Sequence, residues 1–360
     1  MEGDRHAMKA EIKPRIELEN RTRLEEVIPI ATPFLIFLDP SDRCNFRCKF
    51  CPTGDRALLK KVHRRPRLMD FDLFKKIIDD LCDFPEPIKV LRLYKDGEPL
   101  LNPKFPDMIR YAKERGCALQ VDTTTNASLL NPALNLRLID AGLDRLHISL
   151  NGLTAEAYRN FTGCKIDFQK LVDHIAHFYN HRKSCLVCVK IVGDLLTEEE
   201  KHRFLELFGD ISDRIFIEHI APCWPAFDMK EAAPNAEVGI YGQEIRDVQV
   251  CPYIFYSLSI NSDGQVSLCF LDWARKLIVG DVKKERFKDI WNGEALFRHR
   301  LIHLQKKRKT HPICGVCGQL THCMPDDIDA YADFLLQKLT EGQPLGDGSD
   351  AFVVQPQPKG

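Results

Sequence analysis

Asp42-Arg43-Cys44-Asn45-Phe46-Arg47-Cys48-Lys49-Phe50-Cys51-Pro52 follows closely on the apolar run Phe34-Leu35-Ile36-Phe37-Leu38. A short unbroken apolar run is the pattern of a strand buried in a parallel sheet. The loop after it carries three cysteines spaced C-x3-C-x2-C, with an aromatic residue before the third. Barrels of parallel strands hold their ligands at the C-terminal ends of the strands, where this loop falls. Zinc sites usually pair ligands as C-x2-C and need a fourth to close a tetrahedron, so a zinc knuckle is the competing explanation. Three close thiolates suit three corners of an iron–sulfur cube and leave one iron without a protein ligand.

Outward from this loop, strand and helix patterns alternate. Helical spacing marks Phe71 to Cys82, Phe105 to Arg115, Pro132 to Ala141, Phe168 to Tyr179 and Glu198 to Phe208, with Gly116 and Gly142 as stops. Strand-like runs fall between them at Ile88–Tyr94, Cys117–Asp122, Leu146–Leu150, Leu186–Val192 and Arg214–Ile220. Alternation of this kind predicts parallel βαβ units. The expected organisation is a leader at 1–33, a barrel at 34–221, a proline-containing linker at 222–250, a second cysteine-bearing domain at 251–340 and a flexible tail at 341–360.

Composition narrows the function classes. The 360 residues are 44% hydrophobic and carry a net charge of −1, which asks for neither nucleic acid nor an acidic membrane as partner. Lys306-Lys307-Arg308-Lys309 reads as a solvated helix end. No apolar stretch reaches the roughly 18 residues of a membrane span, and Met1 to Glu26 lacks the apolar core of a signal peptide. Fourteen cysteines in a large chain without such a signal point to metal ligands in a reducing cytoplasm.

The triplet loop resembles the cluster loop of the radical S-adenosylmethionine (radical SAM) superfamily. The resemblance implies an α/β fold, a partial (β/α)6 TIM-type barrel. It also implies a 4Fe–4S cluster on Cys44, Cys48 and Cys51 whose open iron chelates SAM. One electron then cleaves SAM, and the 5′-deoxyadenosyl radical abstracts a substrate hydrogen atom. An electron donor such as flavodoxin or ferredoxin follows from the same chemistry. Tyr94-Lys95-Asp96-Gly97-Glu98-Pro99 resembles the family's Gly-Gly-Glu-Pro motif, with Asp96 in place of the first glycine. There Gly97 keeps the backbone slim, and Glu98 accepts hydrogen bonds from the SAM ammonium. Thr123-Thr124-Thr125-Asn126 resembles the Thr-Asn-Gly segment, with Ala127 replacing glycine, and Ser149 stands where the family meets the SAM carboxylate or ribose. A polar helix cap is the plainer account of the threonine run.

The second cysteine set reads Cys251-x12-Gly264-x4-Cys269, then Cys314-x2-Cys317, then Cys323. Tyr256–Ile260 and Gln265–Leu268 form a predicted hairpin, with Gly264 supplying the positive φ of its turn. The pattern resembles the auxiliary-cluster domain called SPASM, or its shorter form called twitch. That resemblance implies one auxiliary 4Fe–4S cluster on Cys251, Cys269, Cys314 and Cys317, with Cys323 as an alternate ligand. A zinc ribbon of two cysteine pairs is the alternative. Cys223, after the sixth strand, is a candidate hydrogen donor to a substrate radical, or else a packed thiol. Lys190 points either into the barrel or to solvent. The expected activity is oxidation or epimerisation of a small carbohydrate-type substrate. Peptide or protein maturation is the alternative, and a non-catalytic adaptor holding an iron–sulfur cluster or zinc is the remote one.

Overall fold

The computed structural model describes residues 8–229, 232, 237–323 and 326–341; the expected tail lies outside these from residue 342 onward. One sheet of ten strands runs through both cysteine-bearing regions. Its strands are β1 (Glu11–Ile12), β2 (Leu35–Leu38), β3 (Ile88–Arg92), β4 (Ala118–Thr125), β5 (Arg145–Leu150), β6 (Leu186–Val192), β7 (Arg214–Glu218), β8 (Ser257–Ile260), β9 (Gln265–Ser267) and β10 (Ile278–Asp281). The strands β2 to β7 lie side by side in chain order, all parallel. Helices Phe71–Leu81, Phe105–Arg115, Pro132–Asp140, Phe168–His181 and Glu198–Phe208 make the crossovers. Parallel neighbours need such crossovers, and the helices bury the outer face of the sheet.

Alternation along the strands decides what each face carries. On the outer face Ile36, Leu91, Val121, Leu146, Ile148, Val187, Val189 and Ile215 are fully buried against the helices. On the inner face the same strands present Phe37, Arg92, Asp122, Thr124, His147, Ser149, Lys190, Phe216 and Glu218. The barrel lumen is therefore polar and charged, unlike a packed hydrophobic core.

Two edges differ from the sequence expectation. The segment expected as a leader joins the fold: Glu11 and Ile12 pair with Arg214 and Ile215, and the strap after them carries Arg15 to the Tyr94 hydroxyl. Two residues are too few for alternation to announce a strand. At the other edge, β8 pairs in parallel with β2 from Leu35↔Ser257 to Leu38↔Ile260, so the second hairpin continues the barrel sheet. Gly264 turns the hairpin at φ 89°. Residues 222–250 have no helix or strand among those described. They pad the C-terminal region, where the Pro225 carbonyl accepts from Trp273 Nε1 at 2.9 Å and Ile240 N donates to the His322 carbonyl at 2.8 Å.

Candidate functional site: two thiol sets and the lumen between them

The first cysteine loop leaves β2 and is clamped from three sides. Asn126, at the end of β4, donates from Nδ2 to Asn45 Oδ1 at 2.9 Å, and Asn45 Nδ2 donates to Ser128 Oγ at 2.8 Å. Arg47 N donates to the Thr162 carbonyl at 2.9 Å, and the Cys164 thiol donates to the Asn45 carbonyl at 3.0 Å. The Cys48 sulfur lies 3.8 Å from Asn151 Oδ1 beyond the end of β5. Burial raises the thiol pKa of all three cysteines, and Cys44 and Cys51 add further repulsion at Cys48. Converging thiols without a compensating cation are what a metal cluster resolves, since ligand sulfurs bind deprotonated.

The motif after β3 lies directly on this loop. A Cβ on Gly97 would fall 2.2 Å from the Ser41 carbonyl oxygen and 2.3 Å from that of Arg43, so only glycine fits. Glu98 N donates to the Arg43 carbonyl at 2.8 Å. The buried Glu98 carboxylate accepts from Thr125 Oγ1 at 2.7 Å, Asn126 N at 2.8 Å and Leu100 N at 3.0 Å. Burial still outweighs these bonds and lifts its pKa to about 6. The residues fit the implied group: Cys44, Cys48 and Cys51 would hold the cluster, and Gly97, Glu98 and Asn126 would border the bound SAM.

Both departures from the family pattern have a structural account. Ala127 adopts φ 62°, the left-handed conformation for which glycine is suited, at a cost of roughly 1–2 kcal/mol. The backbone shape thus survives the loss of glycine. Asp96 is buried and bonds Lys95 Nζ at 2.9 Å and Arg64 at 3.1 Å. With Asp39 and Asp42 it forms a group of three carboxylates facing Arg64, Lys95 and Arg275. Arg275 bridges Asp42 on the cysteine loop to Asp263 in the β8–β9 turn, both at 2.6 Å. This network ties the first cysteine loop to the second region.

The second set is assembled from three distant segments. Cys251, Cys314 and Cys317 all raise the pKa of Cys269, beyond the larger effect of burial, and Cys251 and Cys317 do the same to Cys314. These four thiols are thus close enough to act on one another electrostatically, while among the described residues no three Cys, His, Asp or Glu side chains converge on a single metal-ion position. Cys323 is buried with its thiol hydrogen-bonded to Cys223, and Cys317 Sγ lies 3.6 Å from the Cys223 carbonyl oxygen. Cys223 therefore stands at the margin of the second set.

Between the sets lies the lumen. Phe270, next to Cys269, stacks on Phe37 of β2 at 4.6 Å, and Tyr253 meets Phe270 edge-on at 5.2 Å. Phe37 in turn meets Tyr94. Across the lumen wall Arg92 Nε donates to Asp122 at 3.2 Å, His147 Nε2 lies 3.8 Å from Asp122, and Lys190 bonds Glu218. Lys190 is thus an inward residue, and Ser149 pairs in register beside it. Arg15, Arg92, Asp122 and His147 escaped sequence reasoning, although alternation along β3 to β5 places the last three on one face. Outside, a cleft of about 1550 Å³ reaches Cys44 and is lined by Arg43, Arg56, Lys60, His63 and Arg65.

The profile described as the radical SAM superfamily matches residues 38–208. The chain belongs to that superfamily. Within it, this is a SPASM-bearing member, since the profile described as an iron-sulfur cluster-binding domain matches residues 251–318. The tungsten-containing aldehyde ferredoxin oxidoreductase cofactor-modifying protein of Pyrococcus furiosus is 28% identical, over 83% of this chain and 92% of that protein. The AdoMet-dependent heme synthase of Methanosarcina barkeri is 22% identical, over 83% and 93%. Among solved structures, BtrN in complex with AdoMet and 2-DOIA superposes with a TM-score of 0.51 at 16% identity, covering 82% of this chain and 97% of that one. Native anSMEcpe with bound AdoMet gives 0.56 at 11% identity, covering 85% and 97%. Both share the fold.

Proposed function

We propose that this radical SAM enzyme removes hydrogen from a small polar molecule seated in the barrel lumen, and that the net reaction is an oxidation. A carbohydrate-type substrate is one such molecule. An organic cofactor is another, in keeping with the names of the two relatives that align along most of the chain. The observation that carries this reading is the lumen itself, a wall of charged and hydroxyl-bearing side chains with the first thiol loop at its rim and Phe270 of the second region against its side. When bound, the clusters supply the reducing electron at the first set and an electron acceptor at the second. Gly97 and Glu98 shape and polarise the SAM end, and Asn126 holds the cysteine loop against it. Oxidation is favoured over epimerisation because the Cys223 thiol is engaged by Cys323. The basic lining of the cleft at Cys44 supports an acidic electron donor such as flavodoxin or ferredoxin. The described cysteines are all unpaired, in keeping with a reducing cytoplasm.

The test is a metabolite screen with the reduced, reconstituted enzyme, looking for substrate-derived deuterium in 5′-deoxyadenosine. A product two mass units lighter than its substrate supports oxidation. Solvent deuterium at the reacting carbon in D2O, lost in Cys223→Ala, would support epimerisation instead. Labelling from peptides alone would favour the maturase alternative.

A further inference from the structure

The lumen carries more positive charge than its carboxylates balance. Arg15 from the strap, Arg92 from β3, Arg145 from β5 and Lys190 from β6 all act on His147 electrostatically. Against them stand Asp122 of β4 and Glu218 of β7. Asp122 is bonded to Arg92 and Glu218 to Lys190. Arg15 bonds the Tyr94 hydroxyl and acts on Asp122 and Glu218 only at longer range, Arg145 acts on Asp122 likewise, and neither arginine makes an ion pair within hydrogen-bonding reach among the described residues. Four buried polar atoms on this wall also have no hydrogen-bond partner: Arg15 Nε, Asp122 Oδ1, Thr124 Oγ1 and His147 Nε2. Buried polar atoms are nearly always satisfied, so a cluster of orphans with surplus cations marks the seat of a polar anion.

Its depth separates it from SAM. Arg92 pairs with Asp122, four residues before Asn126 on the same strand. At about 3.3 Å per residue this floor lies roughly 13 Å below the SAM end. We infer that the substrate carries an oxyanion, a carboxylate or a phosphate, received by Arg15 and Arg92 on the lumen floor. Thr124 and His147, two residues nearer the SAM end, contact the polar stretch above that group, and Asp122 orients Arg92 beside it. Guanidinium groups suit this task, since their planar fork pairs with either oxyanion through two parallel bonds. The inference rests on the lumen being the substrate site, as proposed above. It makes the N-terminal strap part of that site.

The test is equilibrium dialysis of the anaerobically reconstituted holoenzyme, saturated with SAM, against labelled orthophosphate and against labelled malonate. One saturable site is expected for at least one anion. Phosphate binding alone identifies a phosphoryl group, and malonate binding alone a carboxylate. Arg15→Met and Arg92→Met are each expected to weaken that site tenfold or more. Arg15→Lys retains binding within a few-fold and shows that the strap still folds. The exposed Arg203→Gln leaves binding unchanged. No saturable site for either anion, or undiminished binding in Arg15→Met, overturns the inference. Formation of 5′-deoxyadenosine on reduction is scored on the same wild-type sample. Its presence without anion binding sinks this inference alone, and its absence with anion binding sinks the enzymatic reading instead.

Discussion

The two thiol sets are built in opposite ways. Cys44, Cys48 and Cys51 share one loop of eight residues, held by the ends of β4 and β5, and Cys44 borders an open basic cleft. Cys251, Cys269, Cys314 and Cys317 come from three segments, and are half-buried like the first three. Three ligands would leave one corner of a cubane for a cosubstrate, whereas four thiols would close theirs. The difference in ligand number would separate a centre that meets SAM from one that does not.

The sharpest way to break this comparison is to remove one thiol from each set. Cys44→Ala is expected to abolish 5′-deoxyadenosine formation. Iron content should fall from about eight atoms to about four, by the arithmetic of two cubane clusters. Zinc in place of iron in the wild type would end the comparison altogether. Cys314→Ala is expected to keep SAM cleavage within about tenfold of wild type while losing substrate turnover. Circular dichroism must accompany it, because metal binding can supply the folding energy of a small region. Unimpaired turnover in Cys314→Ala would reduce the second set to a structural role.

A smaller effect tests how closely the loop is cradled. Gly97→Ala forces a Cβ into the Ser41 and Arg43 carbonyls, so the loop must shift. SAM cleavage should drop about 10- to 100-fold, equivalent to about 1.4–2.7 kcal/mol. Wild-type rates in this variant would show that the motif is looser than its contacts.

The smallest effect concerns the charged network joining the two regions. Burial, then repulsion from Asp96 and Asp42, raises the Asp39 pKa from 3.8 to about 7. Between those values the folded protein binds a proton that the unfolded chain releases. Stability gained from this protonation is complete below about pH 4 and is lost as pH rises through about 7. Asp39→Asn should therefore match wild type near pH 4 and exceed it by about 1–3 kcal/mol at pH 8. Parallel stability profiles, followed by denaturant unfolding, would show that Asp39 does not titrate in this window.

Much of this fold was legible because its signals are local. The six barrel strands and five long crossover helices appear near their expected places, since apolar periodicity and glycine stops act within a few residues. The hairpin around Gly264 was legible for the same reason, but its pairing with β2 was not. That pairing joins residues more than two hundred positions apart, and neither strand records its partner. The strap was missed because β1 is two residues long and its anchoring contacts lie with Tyr94 and Arg214. Asp96 looked like a departure from a glycine motif until Arg64 and Arg275 came into view beside it.

The sequence by itself determined the class of chemistry. Cys44, Cys48 and Cys51 share one loop, and Gly97 and Glu98 follow the next strand, whose parallel pairing with β2 sets both strand ends on one rim. Only the tertiary structure decided what lies between the two thiol sets. Arg15, Arg92, Asp122, His147 and Lys190 come from five segments, and each is an unremarkable polar residue in its own stretch. Curling of the sheet turns their shared face inward, and that turn makes scattered charges into one buried and unbalanced site.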